Sequence, residues 1–207
     1  GFAPESIRYY ALILNLVVSA IAFISYARAG YFRLRLAIPF LITSMPAAYL
    51  GAQISINPTL YKIILGIMLL IAVLRMLMVG NNDNKETRNP PVAIALGIGL
   101  LLGLVSGIIG IGGGILLSPL LILARYARIK EASAAAALFI FLNSASGLAG
   151  LMTTKFTFQP EIIYWIMGVM VAGFAGSAMG SRTFSELNLK RVLSLVLIAA
   201  SIKLFFF

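Results

Sequence analysis

The feature of this sequence best suited to binding chemistry is a cluster of glycines inside a long apolar run. Gly110, Gly112, Gly113 and Gly114 lie almost side by side between residues 97 and 126. Each glycine costs a helix about 1 kcal/mol, so helix is least stable here. A helix that breaks inside a membrane leaves backbone N–H groups without partners, and a bound anion is a natural partner for them. We therefore predict that Gly112, Gly113 and Gly114 bind an anion.

Hydroxyl groups flank this cluster on both sides. Ser106 precedes the glycines and Ser118 follows them, close enough along a hairpin to add hydrogen-bond donors. We include Ser118 among the predicted binding residues. The alternative is that the glycines only permit close packing, their amides bonding to neighbouring helices or water. The sequence leaves both interpretations open.

Polar side chains occupy matching places in two other apolar segments. Asn15 with Ser19, and Asn143 with Ser144, lie roughly in the middle of their segments. Polar groups are costly in a membrane, so we predict that these four residues line a central substrate site. Hydrogen bonding between helices, at about 0.6 kcal/mol each, is the alternative.

The sequence contains few groups suited to covalent or metal chemistry. It has no Cys and no His, which removes disulfides, thiolate sites and the commonest acid-base group. We expect no cofactor, no metal site and no enzymatic activity. The acidic residues all fall in predicted loops or first helical turns, which favours an anion over a cation as the substrate; they are Glu5, Asp83, Glu86, Glu131, Glu161 and Glu186.

The overall composition identifies lipid as the main solvent. Of 207 residues, 61% are hydrophobic and 11% are charged, with a mean hydropathy of +1.02. About a quarter of a soluble domain is charged. The net charge of +10 does not indicate nucleic-acid binding, because the cations lie in short gaps between apolar runs rather than on a soluble face.

Seven hydrophobic segments are long enough to cross a bilayer, which takes about 20 residues. One of them, residues 91 to 124, has nearly double length. The only strongly polar stretch is GNNDNKETRN at residues 80 to 89. The seven segments are Ile7–Tyr26, Leu36–Ile54, Leu60–Val79, Pro91–Ala124, Ala132–Thr154, Ile162–Ser181 and Leu189–Phe207.

The positions of the cations decide how the double-length run is arranged. If it crosses once, the cations divide equally between the two sides. If it enters and returns as a hairpin, Arg8, Lys62, Lys155 and Lys203 lie on one side and the other 12 lie opposite. The positive-inside rule favours such an unequal division. We therefore predict a re-entrant hairpin with the cation-rich side in the cytoplasm.

The two parts of the chain resemble each other when displaced by 128 to 129 residues. Asn15 then matches Asn143, and Gly51 matches Gly180. An odd number of crossings per repeat implies inverted repeats. We predict a first repeat at residues 1–80, a polar linker at 81–91 and a second repeat at 92–207. We also expect that an N-terminal element of about 30 to 40 residues, the counterpart of the glycine-rich run, is missing.

Proline and glycine positions are the predicted hinges of such a molecule. Residues 43 to 46, ending in Pro46, are expected to break the second helix, and the glycine-rich counterpart includes Gly173. Gly110 and Pro119 flank the glycine cluster. Packing is the alternative role for Pro46 and Gly173.

The sequence resembles a known family in two places. The run GIIGIGGGILLSPLL from Gly107 and the segment KEASAA from Lys130 are similar to the repeated signature of the TauE/SafE sulfite exporters, also called toluene sulfonate uptake permeases. Residues 1 to 79 resemble the last three helices of a first repeat, and 92 to 207 a complete second one. The glycine-rich signature of the first repeat is absent here. The resemblance implies transport of sulfite, sulfonates or related anions across a bacterial plasma membrane.

Together these observations predict an all-α integral membrane protein of two inverted repeats. We expect it to export small sulfur-containing anions by alternating access around a site at the glycine cluster. A non-transporting scaffold subunit and an anion channel are the alternatives. The sequence leaves open which anion is carried, the direction, the coupling ion and whether the protein forms a homo-oligomer.

Overall fold

The computed structural model describes residues 4–54, 87–152 and 162–185, together with isolated positions at 57, 66, 67, 70, 160, 188, 189, 191, 192, 195 and 199. The predicted segments Leu60–Val79 and Leu189–Phe207 therefore lie outside the continuously described residues. Within the described ranges the chain forms helices and no strand. The helices are α1 (Pro4–Arg28), α2 (Leu34–Ala52), α3 (Val92–Ile109), α4 (Gly114–Leu123), α5 (Ile129–Leu151) and α6 (Ile162–Ala178).

Within the described ranges, five helices are long and apolar enough to cross a membrane. They are α1, α2, α3, α5 and α6, the last continuing through a π-helical turn at Met179–Thr183. Helix α4 has only 10 residues, or about 15 Å, which is half the thickness of a hydrocarbon core. An α-helical membrane protein is thus confirmed, whereas the number of seven segments and the inverted repeats stay predictions.

Helices α2 and α3 pack with their backbones in contact. A Cβ atom at Gly99, Gly103 or Gly107 would collide with carbonyl oxygens of α2, those of Phe40, Ser44 and Ala48 respectively. These glycines repeat every four residues and so form one face of α3. The glycine face of α3 is therefore a packing surface.

Helix α2 is continuous through Pro46, so the prediction that residues 43 to 46 break it is wrong. Neighbouring helices hold the backbone on either side of the proline. The Thr43 hydroxyl donates to the Leu96 carbonyl of α3 over 2.7 Å, and the Ser146 hydroxyl of α5 donates to the Met45 carbonyl over 2.6 Å. These contacts fix α2 against α3 and α5 on either side of Pro46.

Helices α3 and α4 form a hairpin, as the cation positions predicted. The Arg88 N–H, just before α3, donates to the Arg125 carbonyl, just after α4, over 2.8 Å. A Cβ atom at Gly113 would lie 3.2 Å from the Leu102 carbonyl oxygen. Helix α4 therefore runs back along the first half of α3, and both outer ends of the hairpin lie at the same end of the molecule.

That end of the molecule carries most of the described cations. Arg33, between α1 and α2, lies 3.4 Å from the Glu131 carboxylate at the start of α5. Lys130 donates to the Ser181 carbonyl, after α6, over 3.2 Å. These contacts gather the end of α1, the start of α2, both ends of the hairpin, the start of α5 and the end of α6. The cations placed there are Arg28, Arg33, Arg35, Arg88, Arg125, Arg128, Lys130 and Arg182. We call this the cationic end.

Candidate functional site

The chain reverses direction between α3 and α4 within four residues. Gly110 ends α3 at φ +79°, its N–H donating to the Ser106 carbonyl over 2.7 Å. Gly112 and Gly113 follow at φ +79° and +67°. This left-handed region suits glycine and few other residues. The predicted break in the helix is therefore present, and we call residues Gly110–Gly114 the glycine break.

The glycine break presses against α5. A Cβ atom at Gly112 would lie 2.7 Å from Ile140 Cγ2 and 3.0 Å from the Ser144 hydroxyl oxygen. One at Gly114 would lie 2.8 Å from the Ala136 carbonyl oxygen. Only hydrogen fits at these positions, so the backbone of the break comes within reach of polar groups on α5.

Several backbone N–H groups at the break have no partner among the described residues. Leu116 and Leu117 donate to the Gly113 carbonyl over 3.2 and 3.4 Å. The N–H groups of Gly113, Gly114 and Ile115 make no hydrogen bond with any of the residues that the structure describes. They stand at the positive end of the α4 dipole.

Three buried side chains beside the break also have unpaired polar atoms. The Ser106 hydroxyl, the Asn143 Oδ1 atom and the Ser144 hydroxyl have no hydrogen-bond partner within the described part of the chain. These residues are 3%, 1% and 0% exposed. An unpaired buried polar group costs about 1 to 3 kcal/mol, so a ligand or water that paired with these three groups would stabilise the fold.

The side chains of Ser106 and Ser144 meet the break from two helices. A Cβ atom at Gly113 would lie 3.1 Å from Ser106 Cβ. Ser144 contacts Gly112 from α5, and Asn143 lies one turn beyond Phe139, whose ring also meets Gly113. The Asn143 Nδ2 donates to the Phe139 carbonyl over 2.8 Å, which fixes Oδ1 as the free acceptor. We call Ser106, Asn143, Ser144 and the glycine break together the glycine-break site.

The site lies deep between the two ends of the molecule. Leu102 and Ser106, which flank Gly113, are about 15 to 21 Å from the start of α3 at 1.5 Å per residue. That is about half to two thirds of a hydrocarbon core that is about 30 Å thick. Gly112, Gly113 and Gly114 are all buried. A ligand therefore reaches the site only when the helices around it move.

Ser118 and Pro119 lie further along α4. The Ser118 hydroxyl is 3.5 Å from the Ala132 carbonyl oxygen of α5. Pro119 is buried inside the helix, which continues through it. Ser118 thus contributes to the contact between α4 and α5, one turn beyond the glycine break, and its role in binding stays a prediction.

Asn15 and Ser19 occupy a different part of the molecule. Asn15 lines a groove of about 470 Å³ between α1 and α6, together with Val18, Tyr26, Gly173 and Ser177. The buried Ser19 hydroxyl donates within α1 to the Asn15 carbonyl. The contacts that place these two residues are thus with α6 across the groove and within α1. A Cβ atom at Gly173 would lie 3.2 Å from Val18 Cγ2, so Gly173 packs against α1.

Arg8 is a site neighbour that the sequence analysis did not identify. Its guanidinium donates to the carbonyls of Ala52, Ile54 and Gly107 over 3.0, 3.3 and 2.8 Å. Its side chain also lies against Gly110. A positive charge is thereby held at the C-terminal ends of α2 and α3, where it is favourable. The interpretation of Arg8 as a loop charge could not reveal contacts with residues so distant in sequence.

Comparison with known proteins agrees with a transport role. The chain matches the family described as "Sulfite exporter TauE/SafE" over residues 2–204. It is 30% identical to "Probable membrane transporter protein y4hK" of Sinorhizobium fredii, over 99% of this chain and 84% of that protein. It is 27% identical to a "Probable membrane transporter protein" of Xylella fastidiosa, over 86% of this chain and 71% of that protein. No solved structure matches the chain.

Proposed function

The chain belongs to the TauE/SafE sulfite exporter family of membrane transporters, and from this premise we propose that it exports small sulfur-containing anions such as sulfite or sulfonates. The names of the family and of the relatives indicate a transporter rather than a class of enzyme. The finer proposal, of substrate and mechanism, depends on the glycine-break site.

The observation that carries this proposal is the group of unpaired buried donors at the glycine break. Hydroxyls of Ser106 and Ser144 and the N–H groups that begin α4 meet between chain segments that contain no charged residue. Oxygen atoms of an anion satisfy such donors, and the helix dipole favours negative charge. The site accordingly fits an oxyanion better than a cation or an apolar ligand.

The repeat relation is supported by the directions and faces of the helices. Helix α1 runs towards the cationic end and α5 runs away from it, although Asn15 and Asn143 match in the repeat. The faces of α2 and α6 match as well. In α2, the carbonyls of Phe40, Ser44 and Ala48 meet the glycine face of α3. At an offset of 129 these three residues correspond to Val169, Gly173 and Ser177 of α6, which line the groove. We infer two inverted repeats, with Asn15 in the groove as the counterpart of Asn143.

Burial of the site and the glycine break between α3 and α4 support alternating access. The glycine break joins α3, which is locked to α2 through its glycine face, to α4, which packs against α5. Movement of α4 relative to α3 would open the site, with Gly110 as the hinge. Pro46, Pro119 and Gly173 are the further proposed hinges.

We place the protein in a bacterial plasma membrane with the cationic end in the cytoplasm. The cations at the cationic end support this orientation, because the positive-inside rule expects the cation-rich side in the cytoplasm. Arg8 then lies at the opposite, external end. Export moves the anion from the cationic end, where positive charge concentrates it, towards the glycine break.

Flux through the purified protein tests the proposal. Proteoliposomes that contain only this protein are loaded with radiolabelled sulfite or methanesulfonate, and efflux is compared with protein-free liposomes. We expect efflux that saturates with concentration. Absence of efflux for every sulfur anion would favour the scaffold subunit, and efflux that never saturates would favour the channel.

A further inference from the structure

We propose that the glycine-break site selects monoanions, such as hydrogen sulfite and sulfonates, over dianions such as sulfate or fully deprotonated sulfite. The inference rests on the proposed function and specifies the charge of the species that is carried. It follows from the charge and the hydrogen-bonding groups of the site.

The segments that form the site contain no charged residue. Residues 89–124 and 132–154 have neither acids nor bases. These segments include the glycine break and the part of α5 that carries Asn143 and Ser144. Attraction for an anion therefore comes from hydroxyls, N–H groups and the end of the α4 dipole. That dipole is equivalent to about half an elementary charge. The site can balance one negative charge far better than two.

The nearest described cation is already engaged. Arg8 lies against Gly110, but its guanidinium bonds to the carbonyls of Ala52, Ile54 and Gly107. Its charge compensates the negative ends of two helices. A second negative charge at the break therefore gains little from Arg8.

The cost of desolvation also favours a monoanion over a dianion. The cost of moving an ion out of water grows with the square of its charge, so a dianion pays about four times the cost of a monoanion. Its attraction to fixed dipoles only doubles. In a site buried as deeply as Ser144 and Asn143, the balance favours the monoanion.

The free acceptor at the site adds an independent reason. Asn143 Oδ1 is buried without a partner among the described residues, while its Nδ2 is held by the Phe139 carbonyl. Between the two charge states of sulfite, this acceptor disfavours the fully deprotonated one, whereas a sulfonate, which carries no proton, gains nothing from it. Asn143 Oδ1 can accept a hydrogen bond from a protonated oxyanion, as hydrogen sulfite provides. The site thus combines donors for the charged oxygens with an acceptor for the proton.

The experiment compares anions of matched chemistry and different charge. Efflux of sulfite, methanesulfonate and methanedisulfonate is measured from proteoliposomes with equal pH on both sides, from mildly acidic to mildly alkaline pH. Protein-free liposomes give the leak to subtract. Methanesulfonate keeps one charge throughout and reports any pH dependence of the protein itself.

We expect methanesulfonate efflux to stay constant with pH and sulfite efflux to fall about tenfold for each pH unit above the second pKa of sulfite. Methanedisulfonate should be carried at least about tenfold more slowly than methanesulfonate at every pH. If methanesulfonate is carried but the disulfonate or alkaline sulfite is carried equally fast, charge selection is wrong and the proposed function stands. If no anion is carried, both fail.

Discussion

The glycines of α3 and the glycines that follow it illustrate two uses of the same residue in one apolar run. Gly99, Gly103 and Gly107 lie against backbone carbonyls of α2, where a Cβ atom would collide. Gly112 and Gly113 instead take left-handed conformations and lie beside unpaired polar groups. Glycine in the first region removes bulk from a helix that stays intact. Glycine in the second ends the helix and exposes its polar backbone.

The difference teaches that glycine content alone does not locate a binding site in a membrane protein. The packed region has partners for its neighbouring polar groups, as Thr43 shows by bonding to the Leu96 carbonyl. The glycine break has unpaired groups that cost stability. A site is indicated where glycines, unpaired donors and burial coincide. Four substitutions separate these roles, beginning with the largest expected effect.

Gly103→Leu should prevent formation of the folded protein. A Cβ atom there would lie 2.5 Å from the Ser44 Cα atom and 2.8 Å from its carbonyl carbon, so α2 and α3 would have to separate. Size-exclusion chromatography of the detergent-solubilised protein would show aggregate in place of the wild-type peak. Gly97→Ala is the control on the same helix, with open space around its Cβ position, and should be neutral or stabilising by up to about 1 kcal/mol. Normal folding of Gly103→Leu would refute close packing of the two helices.

Ser144→Ala should lower anion flux by about 10- to 100-fold, the value of one hydrogen bond to a charged group. It should not lower stability, because the hydroxyl has no partner among the described residues. Ser146→Ala on the same helix should do the opposite, since its hydroxyl bonds to the Met45 carbonyl over 2.6 Å. Flux and thermal stability are measured for both. Equal flux for Ser144→Ala and wild type would remove Ser144 from the site.

Arg8→Gln should lower the free energy of unfolding by about 1.5 to 3 kcal/mol, because charge-assisted hydrogen bonds to three carbonyls are weakened. Arg8 lies where the packed glycines meet the glycine break, with Gly107 on one side and Gly110 on the other. Arg28→Gln, at an exposed position in the last turn of α1, is the control and should cost below about 1 kcal/mol. Thermal unfolding in detergent compares the two. Equal losses of stability in the two variants would contradict the role of Arg8 in joining the ends of α2 and α3.

Glu131→Gln should have the smallest effect, below about 1 kcal/mol. The carboxylate lies 3.4 Å from Arg33, but the two side chains are 21% and 36% exposed, and such pairs contribute little in water. The Arg128 N–H also donates to it over 3.0 Å, a bond that glutamine retains. Flux should not change. A large loss of flux would show that the cationic end takes part in gating.

The sequence predicted the hairpin because its causes lie in the local sequence and in the distribution of charges. Three glycines in succession disfavour helix wherever they stand, and cations distribute by side of the membrane. The continuity of α2 through Pro46 was not predictable in the same way. The contacts of Thr43 and Ser146 that hold α2 against α3 and α5 beside Pro46 join residues distant in sequence, and only the packing of three helices reveals them.

The contacts of Arg8 and the place of Asn15 escaped prediction for a similar reason. Arg8 meets Gly107 across 99 residues of sequence, and its charge alone indicated only a loop. Asn15 matches Asn143 in the repeat, but its surroundings depend on which helix covers it. The described residues leave it lining a groove. The repeat in the sequence identifies equivalent positions, whereas the packing of the helices decides what each position contacts.

The central claim is that the transported anion binds at the glycine break, and ligand-induced stabilisation tests it most directly. Thermal unfolding is measured with and without methanesulfonate for the wild type, for Ser106→Ala/Ser144→Ala, and for Ser146→Ala as control. At 100 times its dissociation constant a ligand stabilises by about 2.7 kcal/mol. We predict that the wild type and Ser146→Ala show this stabilisation and that the double variant loses it. Equal stabilisation of the double variant would contradict the account.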